Sequence, residues 1–83
     1  MSVAVRYFAS VREALGPGED VEIASGWSIA ALRDALAARG GRHAEALGRQ
    51  RVLRSAKNRL LCAEDTLLAD GDEVGFFPPL TGG

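Results

Sequence analysis

The sequence predicts an α+β fold in which one main helix packs across a mixed sheet. Three features indicate this fold: residues near both ends alternate between apolar and polar, a central stretch has helical periodicity, and glycine- and proline-rich turns separate these segments. The chain has 83 residues, of which 47% are hydrophobic and 25% charged, as is typical of one globular domain. This length excludes a multidomain enzyme with a cofactor-binding domain of its own.

The first part of the chain is predicted to form two strands with a short helical segment between them. Residues 3–8 alternate between two sides and form a half-buried strand. One side of this strand consists of Val3, Val5 and Tyr7. Residues 9–15 are long enough for one or two helical turns, which the breaker at residues 16–18 ends. Val21 and Ile23 indicate a second strand, and the short connection favours an antiparallel pair.

The best-defined element is a helix that follows Ser28. Ser28 is the predicted N-cap, because its hydroxyl can accept a hydrogen bond from the first turn. The predicted inner face of this helix consists of Ile29, Leu32, Ala35 and Leu36. Arg33 and Asp34 are expected to point outward. Gly40-Gly41 then ends the helix.

The second part of the chain is predicted to complete the sheet. Residues 42–51 are polar and weakly helical, whereas residues 52–56 and 60–63 indicate two short strands around Asn58-Arg59. Asp70-Gly71-Asp72 marks a turn, and residues 73–77 form a last strand that ends at Pro78-Pro79, since proline has no N–H to donate. This order of elements is typical of the ubiquitin-type roll, the β-grasp. We expect a β-grasp domain over residues 1–77 and a flexible tail over residues 78–83.

Charge and cysteine content exclude several classes of protein. Ten basic and eleven acidic residues give a net charge of −1, which argues against a nucleic-acid-binding protein. No stretch resembles a signal peptide or a membrane span, so we expect no membrane partner. The single Cys62 cannot form an internal disulfide, and we therefore expect a cytoplasmic protein. No spacing of histidine, cysteine and acidic residues predicts a metal site.

The last eight residues, FFPPLTGG, are the most informative part of the sequence. Pro78-Pro79 favours an extended backbone, and the five residues from Pro79 to Gly83 can reach about 16–18 Å. Gly82 and Gly83 have no side chains and fit a narrow channel in another protein. ATP can convert a terminal carboxylate to an acyl adenylate, and a sulfur nucleophile can then displace AMP to leave a thiocarboxylate. The tail would thus be a reagent carried on a folded domain.

Three segments identify a resemblance to a known family: FASVRE at residues 8–13, the segment around Asn58, and LADGDEVGFFPPLTGG at residues 68–83. The chain resembles the small, sulfur-carrier subunits of molybdopterin synthase, the MoaD-type members of the ubiquitin-like sulfur-carrier family. The resemblance covers essentially the whole chain. It implies a β-grasp fold and a carrier that is not an enzyme on its own.

The same resemblance implies the partners and the chemistry. A ubiquitin-activating-type enzyme would adenylate Gly83 with ATP, and a sulfurtransferase would supply the sulfur, so that the chain itself binds no cofactor. The tail would enter the large synthase subunit, where two sulfurs convert cyclic pyranopterin monophosphate (precursor Z) to molybdopterin. The assembly would be a heterotetramer of two small and two large subunits.

The candidate site residues divide into three groups. Gly83 is the modified carboxylate, and Thr81 and Gly82 precede it in the channel. The expected partner contacts are Phe8, Arg12, Phe76, Phe77, Pro78, Pro79 and Leu80. Phe76 and Phe77 alternate on the last strand, so one of them should face the core and the other should anchor a partner.

Two further residues have plainer interpretations, and other functions stay open. Cys62 lies in an apolar strand and is expected to be a buried small hydrophobe rather than a persulfide carrier. His43 has no companion ligand and is expected to be a surface residue. The alternatives to the leading function are a sulfur carrier for thiamin thiazole or cysteine synthesis, a ubiquitin-like modifier joined to lysines through Gly83, and an interaction module whose tail is inert.

Overall fold

A computed structural model describes residues 1–79 of the chain, which form a five-stranded mixed sheet and three helices. In chain order the elements are β1 (Ser2–Tyr7), α1 (Ala9–Leu15), β2 (Gly18–Glu22), α2 (Ile29–Ala37), α3 (Gly41–Leu47), β3 (Arg54–Lys57), β4 (Leu60–Cys62) and β5 (Glu73–Phe77). The strand order is β2-β1-β5-β3-β4. Strands β1 and β5 are parallel and all other neighbours are antiparallel. This arrangement confirms the predicted mixed sheet of the β-grasp.

One hydrophobic core lies between one face of the sheet and the helices. The sheet contributes Val3, Val5, Tyr7, Val74 and Phe76, and the helices contribute Val11, Ile29, Leu32, Leu36, Ala46 and Leu47. Burial alternates along β1 as the sequence predicted, because its odd-numbered residues face the core and its even-numbered residues do not. The opposite face of the sheet carries no helix in the described part of the chain, and we call it the outer face.

Helix α2 begins as predicted but buries a different set of residues. Ser28 is the N-cap, since its Oγ accepts a hydrogen bond from the Ala31 backbone N–H at 3.1 Å. The prediction that Arg33 points outward is wrong, because only 3% of this residue is exposed. The prediction that Ala35 belongs to the inner face is also wrong, since Ala35 is exposed. Ala37 instead packs against the core from the last turn of the helix.

The guanidinium of Arg33 is buried because other segments satisfy its donors. Its Nε donates to the Leu47 carbonyl at 2.7 Å, and its Nη2 donates to the carbonyls of Gly48 (2.9 Å) and Arg51 (2.7 Å). Its Nη1 donates to the Glu64 carboxylate at 2.6 Å. Arg33 therefore fastens the end of α3, the loop after it and the segment after β4 to one helix.

The hairpin of β3 and β4 turns at Asn58 and Arg59, as predicted. Both residues have positive φ, 51° and 70°, which is typical of the tight turns that join antiparallel strands. Strand β3 begins later than the predicted residue 52, and Val52 lies outside it with 76% of its surface exposed. No helix within residues 1–79 is long and apolar enough to cross a membrane.

Candidate functional site

The candidate site lies where the two central strands end side by side. Strands β1 and β5 are parallel, with Tyr7 opposite Phe76, and the Phe8 backbone N–H donates to the Phe76 carbonyl at 3.1 Å. Because parallel neighbours end at the same edge of a sheet, the residues that follow Tyr7 and Phe76 lie together. These residues are Phe8 and Phe77, and the Pro78-Pro79 segment leaves the sheet directly beside them.

Phe8 and Phe77 form an aromatic pair on the outer face. Their ring centroids are 6.4 Å apart and their planes meet at 84°, an edge-to-face contact. Phe8 has 47% of its surface exposed, and Phe77 is half-buried. Aromatic side chains are enriched at the centres of protein interfaces relative to the rest of the surface. The pair therefore provides an apolar surface at the root of the tail.

Gly75 makes room for the Phe8 ring. A Cβ at position 75 would lie 3.0 Å from Cε2 of Phe8 and 3.7 Å from its Cδ2, so the ring covers the glycine. Gly75 occupies the outer-face position of β5 between Glu73 and Phe77. The absence of a side chain at this position lets the Phe8 ring lie against the sheet.

Phe76 points to the opposite side of the strand and is fully buried. The alternation predicted for Phe76 and Phe77 is confirmed, and the structure shows that Phe77 is the outward member. Phe76 was among the expected partner contacts, and this assignment is wrong. Its side chain belongs to the core with Tyr7 and Val74, so it is not available to a partner.

The remaining predicted contacts lie around this pair or beyond the described residues. Arg12 is exposed one helical turn after Phe8, to whose carbonyl its backbone N–H donates. Pro78 and Pro79 are half-buried and line a cleft of about 590 Å³ together with Val11, Ala14, Ala46, Val52 and Leu53. Leu80, Thr81, Gly82 and Gly83 lie outside the described residues.

Sequence analysis missed two outer-face residues that extend the apolar surface. In the register of the sheet, Ala56 lies opposite Gly75 on one side and opposite Leu61 on the other. Leu61 is 67% exposed, although it is a large apolar residue. Leu60 and Leu61 are both apolar, so their sequence shows no alternation that would tell which side each one faces. The tight turn at Asn58 and Arg59 would have given the cross-strand pairing.

The two residues given plainer interpretations are both half-buried. Cys62 lies on β4 and packs against the edge of the core, so the prediction that it is a buried hydrophobe is only partly met. His43 is not an isolated surface residue, since its Nε2 lies 3.4 Å from the Glu19 carboxylate. Glu19 also accepts a hydrogen bond from the Tyr7 hydroxyl at 2.9 Å. Burial, reinforced by this hydrogen bond, raises the pKa of Tyr7 above its usual value, so Tyr7 stays protonated.

Within residues 1–79 no group of three or more histidine, cysteine or acidic side chains is arranged to hold a metal ion. The Asp70-Gly71-Asp72 turn is held by its own side chains instead. Asp72 accepts hydrogen bonds from the Asn58 side chain (3.0 Å) and the Ala69 backbone (2.8 Å), which lower the pKa of its carboxyl.

Comparisons of the sequence with known proteins give matches over nearly the whole chain. A model described as the ThiS family matches residues 5–83. The chain is 44% identical over 82 residues to the molybdopterin synthase sulfur carrier subunit of Escherichia coli (strain K12), a match that covers 98% of this chain and 99% of that protein.

Solved structures of related proteins have the same fold as this chain. SAMP1 from Haloferax volcanii is similar with a TM-score of 0.78 and 25% identity, over 100% of both chains. The complex of subunits 1 and 2 of molybdopterin-converting factor from Helicobacter pylori contains a chain similar with a TM-score of 0.69 and 30% identity, again over 100% of both chains. The resemblance drawn from the sequence motifs is therefore confirmed.

Proposed function

Because this chain belongs to the ThiS family, we propose that it is a sulfur carrier of molybdenum cofactor biosynthesis, the small subunit of molybdopterin synthase. The full-length similarity to a molybdopterin synthase sulfur carrier subunit carries this proposal. The protein is a carrier and is not itself catalytic. Its partner is the large subunit of the synthase, and the two-subunit complex of the Helicobacter pylori relative supports this pairing.

The reaction that we propose takes place at Gly83. An adenylating enzyme joins the Gly83 carboxylate to AMP with release of pyrophosphate, and ATP is consumed by that enzyme rather than bound by the carrier. A sulfur nucleophile supplied by a sulfurtransferase displaces AMP, which leaves a thiocarboxylate. The thiocarboxylate sulfur then bonds to cyclic pyranopterin monophosphate inside the large subunit, and water cleaves the Gly83 C–S bond to restore the carboxylate. Two transfers complete one molybdopterin, for which a heterotetramer with two carriers is suited.

The domain contributes docking and positioning in this scheme. Thr81 and Gly82 precede the reacting group, and a tail of about 16–18 Å reaches a buried pocket only if its root is held at the rim. The Phe8–Phe77 pair lies at that root and is large enough to anchor a partner. Arg12 follows Phe8 by one helical turn, and Pro78, Pro79 and Leu80 follow Phe77 in the sequence. We place this chemistry in the cytoplasm, where a chain with one free cysteine remains reduced.

Intact mass spectrometry tests the proposed modification. The protein is incubated with ATP, the adenylating enzyme, the sulfurtransferase and cysteine as sulfur donor. Exchange of one oxygen for sulfur should add about 16 Da, and peptide mapping should locate it on the C-terminal peptide. A variant lacking Gly82 and Gly83 is the control, and it should gain no mass while melting like the full chain. Sulfur found on Cys62 instead would contradict the assignment to Gly83.

A binding experiment tests the docking surface separately. Phe77→Ala should weaken binding of the purified large subunit at least tenfold, because aromatic anchors at interface centres contribute about 2 kcal/mol or more. Leu67→Ala is the matched control, since Leu67 is a 63% exposed apolar residue outside the outer face. Titration calorimetry gives both affinities. Equal affinities for the two variants would mean that the large subunit docks elsewhere.

The other functions considered make different predictions for the same protein. A carrier for thiamin thiazole or cysteine synthesis would gain the same mass but would not bind the molybdopterin synthase large subunit. A ubiquitin-like modifier would instead form isopeptide bonds between Gly83 and lysines of other proteins. An inert tail would gain no mass at all. The mass and binding measurements together therefore separate the proposed function from these alternatives, and detection of conjugates through Gly83 identifies a modifier.

A further inference from the structure

The outer face carries an uneven distribution of charge around the aromatic pair. Arg54 lies opposite Phe77 in the register of β3 and β5, and Arg6 lies opposite Gly75 in the register of β1 and β5. Both arginines are exposed. Arg54 makes no ion pair and no side-chain hydrogen bond with any other residue in the described range 1–79. It is therefore a solvated cation beside an apolar centre.

The acidic residues of the outer face do not neutralise its positive charge near Phe8 and Phe77. Glu73 is shared, since its carboxylate lies 3.5 Å from Nε of Arg6 and 3.6 Å from Nε of Arg59. The other two acidic residues of the outer face, Asp20 and Glu22, lie on edge strand β2. They are opposite Ala4 and Ser2, at the end of β1 far from Phe8. The region around Phe8 and Phe77 is thus positive on a chain whose net charge is −1.

We propose that the surface of the large subunit that covers the Phe8–Phe77 pair places a carboxylate opposite Arg54. This inference rests on the proposed function for the identity of the partner. The physical reason is desolvation: a partner that covers Phe77 also removes water from Arg54, and a buried guanidinium without a counter-charge is costly. A neutral or basic partner surface would carry that cost, whereas an acidic one would gain from the same contact.

Charge at this position acts mainly on encounter and orientation. Complementary charges at the rim of an interface accelerate association and fix the register, whereas the apolar centre holds the complex together. Such interactions are screened by salt, because the Debye length falls from about 14 Å at about 50 mM to about 6 Å at about 300 mM. Binding of the carrier should therefore weaken as salt is added, and Arg54 should account for part of that dependence.

The test measures association rate and affinity for the purified large subunit from the same genome, at about 50 mM and about 300 mM NaCl. Arg54→Glu should slow association and weaken binding about tenfold at low salt, with a smaller loss at high salt. Arg42→Glu is the matched control, since it makes the same change in net charge at an exposed position on α3, away from the outer face. This control should bind within about twofold of the wild type. Thermal melting verifies that both variants are folded.

The possible failures are distinguishable. If the wild type does not bind the large subunit, the proposed function is wrong and this inference is overturned with it. If the wild type binds and Arg54→Glu binds equally well with the same salt dependence, only the inference about charge is wrong. If Arg54→Glu instead dissociates a dimer of this chain without changing binding to the large subunit, a second copy covers the face and the inference is also wrong.

Discussion

Replacing Arg33 with methionine should destabilise the domain more than the substitution of any exposed residue. The side chain is 4% exposed, and its guanidinium donates to three backbone carbonyls and to the Glu64 carboxylate. Methionine fills a similar volume but donates no hydrogen bond. The change leaves buried carbonyls without a donor and a carboxylate without one of its partners, for which we expect a loss of about 3–5 kcal/mol in the free energy of unfolding.

That loss is large for a domain of this size. A chain of 83 residues has an unfolding free energy of roughly 4–12 kcal/mol. The variant should therefore retain only a small part of this free energy at room temperature. A loss of 3 kcal/mol corresponds to a decrease of roughly 12–24 °C in Tm. Urea unfolding followed by the fluorescence of Trp27, the single tryptophan, measures the change directly, because Trp27 packs against the core.

Arg49→Gln is the matched control for this prediction. Arg49 donates to the same Glu64 carboxylate, but its side chain is 52% exposed. An exposed ion pair contributes little, so the control should lose less than about 1 kcal/mol. If Arg33→Met loses no more than Arg49→Gln, then water satisfies the carbonyls of the loop after α3. In that case the guanidinium does not hold this loop in place.

Three further outcomes follow from particular contacts. Burial alone would raise the pKa of Glu64, but hydrogen bonds from Arg49 and Arg33 outweigh burial and lower this pKa below its usual value. The stability that Glu64 contributes is therefore present at neutral pH and is lost as the pH falls through its lowered pKa, so Glu64→Gln should reduce the decrease in Tm on acidification. Gly75→Ala should displace the Phe8 ring and weaken binding of the large subunit in calorimetry, while the melting temperature changes little, because the ring is free to move into solvent. Cys62→Ser should still accept sulfur at Gly83 by mass spectrometry, and loss of transfer in a folded variant would contradict the proposed chemistry.

The sequence predicts elements where one residue pattern decides the outcome locally. Alternation in β1, the Ser28 cap and the Asn58-Arg59 turn depend on neighbours a few residues apart, and all three are confirmed. Arg33 was misplaced because its burial depends on carbonyls 14 to 18 residues further along the chain. Helical periodicity identifies the face on which a charge lies but not whether distant backbone will satisfy it. Buried charges of this kind are therefore the least predictable part of the fold.

The sequence contains enough information to predict which of Phe76 and Phe77 faces outward. Polar Glu73 and apolar Val74 already indicate which side of β5 faces the core. Because side chains two residues apart point to the same side, Phe76 faces the core with Val74, and Phe77 faces outward with Glu73. The position of Phe8 over Gly75 could not be predicted, because it depends on the parallel pairing of strands more than 60 residues apart in sequence. The outer-face position of Leu61 likewise depends on the pairing of β3 with both β4 and β5.

The core and the proposed docking surface are carried by the same two strands, and this makes their roles separable. Tyr7 and Phe76 are fully buried, whereas the next residue along the chain in each case, Phe8 after the end of β1 and Phe77 on β5, belongs to the outward pair. Because side chains alternate along a strand, the hydrogen bonds that hold the core in register also fix the direction of the outward rings. The backbone that carries the outward pair is therefore held by the same hydrogen bonds as the core, although the rings are partly exposed. Phe77→Ala should weaken binding of the large subunit and leave the stability nearly constant. Phe76→Ala should lower the stability and leave the binding of the folded protein nearly constant.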